Sequence, residues 1–75
     1  MDLELSRIFP NEQMRSRALL VISCLSKYKE PVNQKTLAEL IGINEMALSR
    51  ILSILESNGY IKRENTASGK FVRLM

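Results

Sequence analysis

Only three residues, Gly42-Ile43-Asn44, separate two short amphipathic segments in the middle of this chain, and that spacing constrains the fold more than any other feature. On the first segment, 34–41, Leu37, Ala38, Leu40 and Ile41 are apolar, and Gly42 follows as a stop. On the second, 45–57, successive residues are offset by about 100° on a helix. Leu48, Ile51, Leu52 and Leu55 therefore fall on one stripe, and Met46, Arg50, Ser53 and Ser57 fall opposite. Asn33 and Asn44 stand where a side-chain oxygen can cap the first free N–H groups, and Asn58-Gly59 closes the second segment. Two helices joined by so short a glycine-containing turn must cross at a steep angle and bury their stripes on a common neighbour.

The rest of the chain supplies that neighbour. After Pro10, Asn11 caps a helix expected to run from Glu12 to about Lys29, with Met14, Ala18, Val21, Ile22 and Leu25 as its apolar set, and Pro31 ends it. Val32 makes a short extended link. Past Gly59, the runs Tyr60-Ile61-Lys62-Arg63-Glu64 and Lys70-Phe71-Val72-Arg73-Leu74 flank a turn-forming cluster at 65–69, which reads as a β-hairpin. The expected order is helix, short strand, helix, turn, helix, hairpin, in one domain over 1–75, with 1–10 as an N-terminal extension.

With 75 residues the chain buries a smaller share of its surface than a larger domain does, about 60%. A second source of stability is then expected. The single cysteine, Cys24, excludes an internal disulfide, and without histidine no zinc-like spacing exists, so neither metal nor cofactor is expected. Cys24 reads as a small buried hydrophobe. Oligomerisation remains. Leu20 and Cys24 lie to one side of the first helix's apolar stripe and Leu19 to the other, so this helix needs two neighbours. The leading Leu3, Leu5, Ile8 and Phe9 either cover the second face or join it in meeting a second copy; a homodimer through this helix and the N-terminal segment is the favoured reading.

No apolar run approaches the roughly 20 residues that span a bilayer, and MDLELSRIF carries acids where a signal peptide would be basic, so a cytoplasmic location with no membrane partner is expected. The net charge of +3 is unevenly placed. Residues 59–75 hold Lys62, Arg63, Lys70 and Arg73 against Glu64 alone, while 31–58 hold two basic and three acidic groups. A basic C-terminal element suits a polyanion. No nucleophile-base arrangement, carboxylate pair or glycine-rich phosphate loop emerges, so no catalytic residue is assigned and an enzyme is not expected.

The order of elements, with L-A-E-L-I-G-I at 37–43, L-S-R-I-L-S-I-L-E at 48–56 and N-G-Y-I-K-R at 58–63, resembles the winged helix-turn-helix transcription regulators of bacteria and archaea. The resemblance covers roughly residues 12–75. It implies an α+β fold of three helices, a short strand and a C-terminal hairpin wing. It also implies a sequence-specific transcription regulator, such as a repressor, whose partner is double-stranded DNA. By this resemblance, 45–57 is the recognition helix entering the major groove, 60–75 the wing and 65–69 its tip.

On that expectation Arg50, the one basic residue of the outer face, pairs with guanine or grips a phosphate, and no acid stands three or four residues away to hold it. Ser49 and Ser53 permit close approach and hydrogen bonding, Met46 meets a thymine methyl or packs on the second helix, and Glu45 accepts from cytosine or complements the helix dipole. Asn44 starts the same surface. Gln34, Lys35 and Thr36 present a helix start to the DNA backbone, and Arg63, Ser68 and Lys70 do so from the wing. Strand alternation separates Lys70 from Arg73, so the basic hairpin residues do not all face one way. Two other readings follow from the same residues: a winged-helix module that binds only protein, favoured by the apolar first helix, and a single-strand binder, disfavoured because only Phe9, Tyr28, Tyr60 and Phe71 are aromatic and most of them are needed for packing.

Overall fold

A computed structural model describes residues 2–75, with side chains from residue 4 onward. Helix α1 (Asp2–Ile8) and helix α2 (Glu12–Ser26) precede strand β1 (Val32–Asn33), helix α3 (Gln34–Ile41), helix α4 (Glu45–Ser57), and strands β2 (Ile61–Thr66) and β3 (Gly69–Leu74). The N-terminal extension thus contains a helix. Leu5 and Phe9 are fully buried in the common core, whereas the side chain of Leu3 lies outside the described residues. Arg15 Nη1 donates to the Phe9 carbonyl at 3.1 Å and ties the α1–α2 corner.

The helix ends follow from local chemistry. Asn11 Oδ1 accepts from the Gln13 and Met14 N–H groups, Asn33 Oδ1 from Lys35 and Thr36, and Asn44 Oδ1 from Ala47 at 2.7 Å. Gly42 and Gly59 occupy the left-handed region at φ 74° and 79°, where a side chain would be strained. Each closes its helix with the same pair of bonds. Ile43 N–H reaches Ala38 O and Gly42 N–H reaches Glu39 O; Tyr60 N–H reaches Leu55 O and Gly59 N–H reaches Glu56 O. Helix α2 stops at Ser26, short of Lys29, because its last turn tightens: Lys27 N–H bonds Cys24 O and Tyr28 N–H bonds Leu25 O.

The sheet has strand order β1-β3-β2, entirely antiparallel, with Val32 opposite Val72 and Ile61 opposite Leu74. Its buried positions Val32, Ile61 and Val72 meet Ala18, Val21 and Leu25 of α2, Leu37 and Ala38 of α3, and Leu48, Ile51, Leu52 and Leu55 of α4 in one core. Cys24 is half-buried against this core; Leu19 and Leu20 on α2 remain exposed. The hairpin tip is only Ala67-Ser68, shorter than the expected 65–69 turn. Asn65 and Thr66 continue the strand opposite Lys70 and Gly69. Thr66 Oγ1 makes this possible by accepting from Ser68 N–H and donating to Gly69 O, both at 3.1 Å. A winged helix-turn-helix architecture results, with one helix more than expected. No helix among the described residues is long and apolar enough to cross a membrane.

Candidate nucleic-acid interface

The outer face of α4 is presented as its periodicity requires. Burial of the Leu48, Ile51, Leu52 and Leu55 stripe turns Glu45, Met46, Arg50, Ser53 and Ser57 outward, with Asn44 exposed at the start. Met46 is 72% exposed, which excludes its alternative as a residue packed on α3. Arg50 is exposed and forms no ion pair among the described residues. Ser49 is half-buried, because it stands only about 100° from Leu48 at the margin of the stripe.

Beside this face lies a cleft of ≈ 340 Å³ lined by Asn33, Gln34, Lys35, Glu45, Ser68, Gly69 and Lys70. It gathers the starts of α3 and α4 with the wing tip, from three separate stretches of sequence. Lys35 and Lys70 bring two cations to one acid, beside the N-terminal N–H groups of α3. Gln34 is not a surface residue here. It is 7% exposed, and its Oε1 is buried without a hydrogen-bond partner among the described residues. Thr36 is exposed but turns away from this cleft, into an apolar groove with Tyr28, Pro31, Val32 and Leu40.

Arg63 is placed differently from the other wing residues. Its Nε donates to Glu56 Oε1 at 3.0 Å, its backbone N–H to Oε2 at 3.1 Å, and its Nη2 to Ser53 Oγ at 3.2 Å. Nη2 also lies 2.9 Å from Glu56 Oε1. Arg73 pairs with Glu64 at 3.4 Å. Positions alternate across the hairpin, so that pair lies on the sheet face opposite Lys70 and Arg63. The expected division of the basic residues between the two faces is therefore present.

Glu56 is the residue that sequence reasoning missed. Helical spacing alone pairs it with nothing, since its partner lies seven residues on and across a chain reversal; an acid at the end of one element facing a base at the start of the next was the available signal. The Arg63 backbone N–H, then the Arg63 side chain, hold its carboxyl below the ordinary value of 4.5, against a smaller opposing effect of burial. A group held down in the folded state stabilises in full above its unfolded value, and that contribution is lost as pH falls through the folded one. Equilibrium unfolding measured at descending pH is expected to show this loss beginning below 4.5 and to show less of it in Glu56→Gln. Equal acid sensitivity in the two proteins would remove the coupling.

Residues 16–68 match the model of the MarR family. The chain is similar to the crystal structure of the transcriptional regulator PA3341, at a TM-score of 0.72 and 28% identity, covering 97% of this chain and 56% of that one. It is also similar to the crystal structure of a MarR-family transcriptional regulator from Silicibacter pomeroyi, at a TM-score of 0.75 and 21% identity, covering 99% of this chain and 51% of that one. The chain thus spans about half the length of these two solved regulators. No curated protein matches it in sequence. Because the matched segment takes in the capped helix pair and the first strand of the hairpin, and is more than half of the chain, the protein belongs to the MarR family.

Proposed function

We infer that residues 1–75 form a DNA-binding unit that regulates transcription, with α4 entering the major groove of double-stranded DNA and the hairpin lying along the backbone. The observation that carries this reading is the continuity of three features. The exposed face of α4 around Arg50, the N-terminal end of α3 with Lys35, and the wing tip with Ser68 and Lys70 border one cleft or adjoin it. A helix of 13 residues is about 20 Å long and fits a groove about 12 Å wide. Its exposed residues are small or flexible and permit that approach.

In this reading Arg50, Met46, Asn44 and Glu45 face base edges from the first half of α4, where recognition helices make such contacts, with Ser49 at their margin. Lys35, Lys70 and Ser68 hold phosphates, and Gln34 supports the cleft from beneath. Thr36 stays at the border of this surface. The exposed Leu19 and Leu20 of α2 supply a surface for a second copy, which would set two recognition helices on a pseudo-palindromic site in the cytoplasm. Selection of bound fragments from the source genome, followed by footprinting, tests the whole reading. It should recover a shared motif with half-sites about one helical turn, or a multiple of it, apart. Recovery of unrelated fragments with no common footprint would count against it.

A further inference from the structure

We propose that Glu56 is a specificity-determining positioning residue: it locks the root of the wing onto the recognition helix and withholds the Arg63 guanidinium from the DNA backbone. The inference rests on the DNA-binding reading of α4 and the hairpin. It starts from the unusual completeness of one contact. A single carboxylate at the C-terminal end of α4 takes the backbone N–H of Arg63 on one oxygen and the Arg63 side chain on the other. The guanidinium then reaches Ser53, on the outward face of the helix.

Three features make this more than a surface ion pair, which alone contributes little. First, β2 is an edge strand of the sheet, and the carboxylate takes up an N–H there. Second, backbone and side chain are held together, so the strand is fixed in orientation as well as position. Third, only Asn58-Gly59-Tyr60 joins α4 to β2, and this contact lies immediately past that turn. The angle between helix and wing is then set at Glu56, and the tip residues Ala67-Ser68 follow the root as a lever.

The charge consequence is separate. Arg63 lies close to the surface assigned to DNA, yet its charge is matched within the chain, whereas Arg50, Lys35 and Lys70 have no ion-pair partner among the described residues. A cation released onto the backbone would add affinity for every sequence and information about none. Glu56 removes that contribution while leaving the geometry of the wing defined.

The number of phosphates neutralised is read directly from the dependence of affinity on salt, at about 0.9 in slope per phosphate. The wild-type chain, Glu56→Gln, Arg63→Gln and the double variant are titrated with a selected duplex and a random duplex between 0.05 and 0.2 M salt, after melting curves establish that each is folded. Glu56→Gln should steepen the slope by about 0.9, so that affinity falls roughly threefold further across this range, and should lower the ratio of specific to random binding. Arg63→Gln alone should keep the wild-type slope, and the double variant should return to it. A slope lowered by about 0.9 in Arg63→Gln, or an unchanged slope and ratio in Glu56→Gln, overturns the proposal while the wild type still binds. Absence of duplex binding by the wild type overturns the DNA reading and this proposal together.

Discussion

Leu52→Ala is expected to destabilise the protein by about 2–5 kcal/mol, the range for deleting a buried leucine side chain and leaving the space it filled. Leu52 is fully buried in the α4 stripe, between residues that are themselves closed off from solvent: Leu48, Ile51 and Leu55. The surrounding groups come from α2, α3 and the sheet, so collapse into the vacancy would require several elements to shift at once. A chain of 75 residues has a total stability of roughly 4–11 kcal/mol. One truncation therefore removes a large fraction of it. Urea unfolding of the two proteins measures the difference, with the midpoint falling while the slope stays constant. A loss below about 1 kcal/mol would mean that α4 is not anchored through this stripe.

Arg50→Ala is expected to leave stability nearly unchanged and to cost roughly 1–3 kcal/mol in binding to the selected duplex, about 5- to 150-fold in affinity. The side chain is exposed and has no acidic partner, so its removal breaks no ion pair among the described residues. What it would lose is a guanidinium able to make paired hydrogen bonds to guanine, or a clamp on one phosphate. The two roles separate in the data. Loss of a base contact relaxes preference at one position of the site, whereas loss of a phosphate contact weakens all sequences alike and lowers the salt slope by about 0.9. Unaltered affinity and preference would remove Arg50 from the interface.

The helix pair was legible because its determinants are local. Asn33 and Asn44 cap within three residues of themselves, Gly42 and Gly59 end their helices within the adjoining turn, and the apolar stripe of α4 repeats at helical spacing. Helix α1 was not legible as a helix, because a seven-residue segment holds too few turns for its periodicity to show, and its order depends on burying Leu5 and Phe9 in a core assembled from distant elements. Residue type alone makes the hairpin tip too wide, by Asn65 and Thr66 before Ala67-Ser68 and by Gly69 after it. Thr66, by bonding its side chain across the turn, lets β2 run on where composition suggests a loop.

The candidate interface divides along the same line. Arg50 and Met46 could be assigned to the outer face because one helix fixes both. Gln34 and Arg63 could not, since the burial of one and the engagement of the other depend on where the hairpin packs against α3 and α4. Glu56 had no visible role until that packing brought Arg63 to it. Residues whose surroundings come from their own helix were placed by pattern, and those whose surroundings come from another element were not.

The central claim is that the α4 face and the wing bind double-stranded DNA with sequence preference. Titration of the protein with its selected genomic duplex and with random duplex, at physiological salt, tests it most directly. The selected duplex is expected to bind more tightly than about 10⁻⁶ M and random duplex more weakly, with affinity that falls as salt is added. No duplex bound more tightly than the non-specific range of about 10⁻⁴–10⁻⁶ M would contradict it and favour a winged helix that binds only protein.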